Sequence, residues 1–155
     1  MMGGGGGGGG QMQQIQQEIE QIEQEQEAIE EEIESLRTEQ TEVDEAIEAI
    51  ETLDSGDTVQ VPLGGDAYLR AEIQDIDEVI VSLGGGYAAE RDEDGAISSL
   101  ETKKDTIDDR IEDLQGDISE LEAEAEQMQQ QAQQMQQQQM QQMMQQQQED
   151  DGDDE

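Results

Sequence analysis

The stretch TVQVPLGGDAYLRAEIQDIDEVIVSLGGGYAAER, from Thr58 to Arg91, decides how this chain folds. Val59, Val61 and Leu63 alternate with polar residues, as do Leu69, Ala71 and Ile73, and then Val79, Val81 and Leu83. A period of two puts alternate side chains on one face of a strand. Gly64-Gly65, Gln74 to Asp77 and Gly84-Gly85-Gly86 punctuate the alternation, so residues 58–91 predict four short strands joined by tight turns. Pro62 has no N–H to give to a ladder, which places it at an edge or a strand end.

On either side of this segment the apolar residues recur in steps of three and four. The N-terminal seam runs through Met12, Ile15, Ile19, Ile22, Ile29, Ile33, Leu36, Val43, Ile47 and Ile50, with Gln26 and Gln40 as interruptions. The C-terminal seam runs through Ile97, Leu100, Ile107, Ile111, Leu114, Ile118, Leu121, Ala125, Met128, Ala132 and Met135, with Lys104 as its one charged step. A sustained seven-residue repeat specifies helices that supercoil on a partner. The first helix, over residues 11–54, is expected to be roughly 65 Å long at about 1.5 Å per residue. The cluster Asp54-Ser55-Gly56-Asp57 stops it. Asp92 or Asp94 can cap the second, with Ser98 and Glu101 as a weaker capping-box pair. That helix covers 92–148. Residues 1–10, mostly glycine, are expected to be a flexible leader and 149–155 a disordered acidic tail.

Two helices joined by a compact strand insert can fold back into an antiparallel pair. Leu53 then faces Ile97, and Met12 lies near position 138. Four short strands leave open ladder edges, so the insert is expected to complete an intermolecular sheet or barrel. The expected fold class is α+β: a long antiparallel two-helix coiled coil interrupted by a four-stranded β-hairpin insert that assembles into an intermolecular β-barrel.

The composition narrows the function. With two Tyr, no Phe and no Trp among 155 residues, there is too little bulky apolar material for an ordinary globular core. The absence of Cys and His removes thiol chemistry, Cys/His zinc sites and the commonest general base. A net charge of -37, from 43 acidic and 6 basic residues, causes strong self-repulsion in dilute buffer. Molar salt cuts the screening length to roughly 3 Å, which points to a halophile's cytosol. The same charge argues against nucleic acid and against an anionic membrane as partners. An acidic scaffold for basic proteins is a competing reading, disfavoured because the acid is spread over the whole chain. Neither a secretion signal nor a run of roughly 20 apolar residues is present, so a cytoplasmic protein is expected.

Residues 127–148 are all Gln and Met apart from Ala132. Methionine is flexible and polarizable, and glutamine bonds to exposed backbone without imposing a sequence, a combination suited to weak, promiscuous binding. Met12, Ile15, Met128, Met135, Met140, Met143 and Met144 are the candidate client-binding residues at the far end of the helix pair. The plain alternative is a low-complexity tail that binds nothing, on a passive coiled-coil spacer or scaffold with an oligomerisation insert. Gly84-Gly85-Gly86 lacks the spacing and the Lys-Ser or Lys-Thr of a phosphate loop. Asp75, Asp77 and Glu78, like Asp92, Glu93 and Asp94, match no calcium loop and are assigned turn and cap roles. No metal, cofactor or enzyme activity is expected. Lys104 can snorkel its charge to the rim of the seam, and Gln26 and Gln40 set register or partner choice.

Helix, strand insert and helix, together with Val59-Gln60-Val61-Pro62-Leu63-Gly64-Gly65, Tyr68-Leu69-Arg70-Ala71 and the run from Val79 to Glu90, resemble the alpha class of archaeal prefoldin over roughly residues 11–140. The resemblance implies an ATP-independent chaperone of two alpha and four beta subunits, with a double β-barrel platform and six coiled-coil tentacles. These would hold unfolded polypeptide and deliver it to a group II chaperonin. Carried over by position, Val59, Val61, Leu69, Ile73, Val79, Val81 and Tyr87 would help build the platform. The Gly-rich leader and the long Gln/Met extension depart from the family's usual pattern.

Overall fold

The computed structural model describes residues 7–152, with side chains from Gly9 to Glu149. Its elements follow in the order α1 (Gly7–Thr52), β1 (Thr58–Gly64), β2 (Ala67–Glu72), β3 (Val79–Gly84), β4 (Tyr87–Arg91) and α2 (Glu93–Gly152). They divide into two compact units. A helical unit takes the residues up to Glu32 and those from Asp113 on, and a hairpin unit is Ile33–Glu112.

Every residue of the two heptad rows is buried or half-buried, Gln26, Gln40 and Lys104 included, while most positions between them are exposed. Ile15, Ile22, Ile33 and Val43 of α1, and Ile107, Ile111 and Leu114 of α2, are the most deeply covered. Each contributes about 1.5–3 kcal/mol for a fully buried side chain. In the hairpin unit the helices run antiparallel. Gln40 Nε2 bonds to Asp108 Oδ1, and four residues along α1 the partner lies four residues back along α2, where Lys104 Nζ bonds to Asp44 Oδ1 at 2.8 Å. In the helical unit Ile15 and Glu18 share a small groove with Gln131 and Met135.

Helix α1 begins at Gly7, four residues before its apolar repeat predicts, and α2 continues through Glu149 to Gly152 where an unstructured tail is expected. Once a long helix is nucleated, each further residue needs only one more hydrogen bond. Glycine is then carried along despite a cost of about 1 kcal/mol relative to alanine. Residues 1–6 of the expected leader and 153–155 of the expected tail lie outside the described residues.

The turn after α1 is knitted by its own polar groups. Asp54 N–H donates to Asp57 Oδ2 at 2.9 Å and Asp57 N–H donates to the Asp54 carbonyl at 3.1 Å. Gly56 N–H and the Asp57 carbonyl then pair with the backbone of Ile73 at 2.7 and 2.9 Å, tying the helix end to the segment that leaves β2. Asp92 caps α2: its Oδ1 accepts from Gly95 N–H at 2.7 Å and its carbonyl accepts from Ala96 N–H at 2.8 Å. A Cβ at position 95 would stand 2.6 Å from that oxygen, so glycine lets the cap close.

The four strands form two separate antiparallel hairpins, β1 with β2 and β3 with β4. They are built alike, twenty residues apart. Val61 faces Leu69 and Val81 faces Ala89, and each ladder shifts register after Pro62 or Ser82. Gly65-Asp66 and Gly85-Gly86 then make the turns with φ of 58° and 63°, and of 63° and 80°. Two positive φ values in a two-residue loop match the right-handed twist of the strands on either side.

Candidate functional site

Alternation gives each hairpin two faces. In the first, Val59, Val61, Leu69 and Ala71 share one face, opposite Gln60, Pro62, Tyr68 and Arg70. Of these Val59 and Ala71 are half-buried, but Val61, Tyr68 and Leu69 are exposed by 39%, 61% and 55%. Leu63, at the register shift, is also exposed. In the second hairpin Val81 is buried and Val79 half-buried, while Ile80, Leu83 and Tyr87 stand in solvent. Large apolar side chains left uncovered on open-edged strands mark an assembly surface.

Of the residues expected to build a platform, Val61, Leu69 and Tyr87 belong to this exposed set. Val81 faces inward, and Ile73 lies just past β2, where its backbone closes the loop after α1. Leu63, Tyr68, Ile80 and Leu83 add exposed apolar area outside the expected set. Tyr68 and Ile80 occupy the polar phase of the alternation and so carry little signal in the sequence, whereas Leu63 and Leu83 continue its apolar phase up to the glycine turns.

The candidate client-binding residues fall into two groups. Ile15 is buried, and Met12, Met128 and Met135 are half-buried in the seam. Met140, Met143 and Met144 are 70–72% exposed, and every side chain from Gln136 to Glu149 is exposed. Residues 7–10 of the chain are all glycine.

Apart from Lys104, the charged side chains sit outside the apolar rows. Lys103 Nζ lies 3.5 Å from Glu39 Oε1 beside an open groove of about 420 Å³ at the β3–β4 turn. Lys104, at a seam position, reaches sideways to Asp44. That hydrogen bond, and then the Asp44 charge, hold the Lys104 ammonium above the ordinary lysine range. Asp75 Oδ1 accepts from Asp77 N–H at 3.0 Å and the Asp75 carbonyl accepts from Glu78 N–H at 3.2 Å, so this acidic run builds a turn. Among the described residues no group of three or more carboxylates is placed to hold a metal ion, and no helix is long and apolar enough to cross a membrane.

These features define a class: helices paired antiparallel through heptad seams, joined through β-hairpins that leave large apolar residues exposed. Comparison with known proteins makes the class specific. The prefoldin subunit family model matches residues 22–138. The prefoldin alpha subunit of Haloarcula marismortui is 75% identical over 115 residues, covering 74% of this chain and 75% of that protein. That of Halobacterium salinarum is 69% identical over 62 residues, 40% of each chain. A filamentous PFD from Methanocaldococcus jannaschii, solved by cryo-electron microscopy, has a TM-score of 0.50 and 26% identity, covering 74% of this chain and 92% of that one. The chain belongs to the prefoldin family of chaperone subunits.

Proposed function

We propose that this chain is the alpha subunit of a cytoplasmic, ATP-independent holdase. Two alpha and four beta subunits close their hairpins into a β-barrel platform. The helix pairs present their Gln/Met-rich ends to non-native polypeptide, which is later passed to a group II chaperonin. The observation that carries the reading is the end of α2, where Met140, Met143 and Met144 lie 70–72% exposed beyond the last seam residue. Such side chains fit many apolar surfaces and select none, as a general holdase requires. The exposed residues of the hairpins support assembly with other subunits.

The test is light scattering of an unfolded client diluted into molar KCl without nucleotide, in the presence of this chain assembled with a beta subunit. Suppressed aggregation is expected, and its loss when residues 136–155 are removed with the oligomer intact. If the intact assembly suppresses nothing, the chain is a passive spacer. If the truncated assembly suppresses as well as the full one, clients bind elsewhere.

A further inference from the structure

The three exposed methionines do not continue the seam. In register after Met135 the seam positions are Gln139 and Gln142. At about 100° per residue, Met140, Met143 and Met144 lie roughly 80–180° around α2 from Met135. Their i, i+3, i+4 spacing makes them neighbours in one stripe of their own. Met12, Met128 and Met135, by contrast, are half-buried between the helices. The same residue type therefore occupies two environments, one that holds the helices together and one open to solvent.

We infer that Met140, Met143 and Met144 form a reversible oxidation site, at which peroxide-class oxidants switch the apolar stripe to a polar one while the helix pairing stays intact. The switch of client capture rests on the holdase reading given above. In each step a thioether sulfur takes one oxygen from a hydroperoxide: the O–O bond breaks, an S–O bond forms, and the sulfur is oxidised by two electrons. A proton moves to the departing oxygen, which leaves as water when the oxidant is hydrogen peroxide. The product sulfoxide carries a much stronger dipole than the weakly polar thioether and a good hydrogen-bond acceptor, so apolar contact is lost. Methionine sulfoxide reductases reverse the step with two electrons from a dithiol, returning the oxygen as water. Selectivity has a geometric origin, because solvent reaches the sulfurs of the stripe directly, whereas seam sulfurs are shielded by the opposite helix. With no cysteine in the chain, no thiol competes for the oxidant.

The experiment exposes the full chain, assembled with a beta subunit in molar KCl, to a graded series of hydrogen peroxide. Each sulfoxide adds about 16 Da. Digestion at glutamate releases residues 127–149 as one peptide, within which fragmentation separates Met128 and Met135 from the stripe. Oxidation of Met140, Met143 and Met144 is expected several-fold ahead of Met12, Met128 and Met135. Helix circular dichroism should stay unchanged, client protection should be lost, and protection should return after treatment with both stereospecific reductases and dithiothreitol. For the variant with Met140→Leu, Met143→Leu and Met144→Leu, the readout is the ratio of its own protection after peroxide to that before, which should stay near one while the parent's falls several-fold. The inference is overturned if seam methionines oxidise as fast as the stripe, or if the leucine variant loses protection like the parent. It is also overturned if protection survives full oxidation of the stripe. In that case deletion of 136–155 separates the two readings: loss of protection leaves the holdase site standing and removes only the switch, whereas retained protection removes both.

Discussion

Replacing Leu114 with alanine tests whether the heptad seam is the source of this protein's stability. Leu114 is 3% exposed, so nearly all of its side chain leaves water on folding. The substitution removes three carbons, and at about 0.8 kcal/mol for each the transfer loss is about 2.4 kcal/mol. A rigid cavity raises the cost of a buried leucine-to-alanine change to as much as about 5 kcal/mol. A two-helix seam has water along both flanks and can close or hydrate the gap, so the expected loss is near the low end, about 2.5–3 kcal/mol. The neighbouring Gln115 is exposed, and Gln115→Ala should stay within about 0.5 kcal/mol of the parent. Urea unfolding in molar KCl, followed by helix circular dichroism, measures both. If the two variants unfold at indistinguishable urea midpoints, the seam is not what holds the helices and the reasoning fails.

Gln26 Nε2 is buried with no hydrogen-bond partner among the described residues, so Gln26→Leu should raise stability by about 1–2 kcal/mol in the same titration; an unchanged midpoint would show that the amide is satisfied. Dialysis from molar to about 10 mM salt lengthens the screening distance to roughly 30 Å and should melt or dissociate the assembly, and unchanged circular dichroism and sedimentation would refute this. Because Asp44 raises the pKa of Lys104, their pairing is fully present below the ordinary lysine range and is lost only as pH rises through the raised value. The stability difference between the parent and Lys104→Gln should therefore be flat from about pH 6 to about pH 9 and shrink only beyond about 10.5, and a difference that vanishes at neutral pH would contradict the assignment.

The seams were legible because a heptad row is a one-dimensional signal: which residues face a partner follows from spacing alone. Antiparallel pairing was legible too, since a short insert between two long helices gives them little choice but to fold back. Strand positions and turns likewise followed from alternation and double glycines. What spacing does not encode is which face of a hairpin gets covered. Val61 and Val81 occupy the same place in two similar hairpins, yet Val61 is 39% exposed and Val81 only 6%. The second hairpin passes into capped α2 within two residues, and its Ser82, Leu83 and Gly84 border a groove with α2. The first is joined to its neighbours through longer loops on both sides. The candidate site was legible in its composition and not in its division. A Met/Gln run announces adaptable contact, but only the end of the seam at Met135 separates the methionines that join helices from those that face solvent.

The charge distribution bears on client capture as well. Residues 127–148 hold no ionisable side chain in a chain of net charge -37, so the proposed contact segment is free of the repulsion that covers the rest. Salt should therefore act on client capture indirectly, by holding the assembly together. Apolar contact itself weakens little in molar salt and strengthens with salts excluded from the surface. Titrated with KCl, client protection should rise in step with oligomer formation and then level off, whereas an acidic scaffold for basic proteins would lose binding over the same range as charges are screened. Protection that declines while the oligomer is intact would place the contact on the carboxylates and overturn the role given to the methionine stripe.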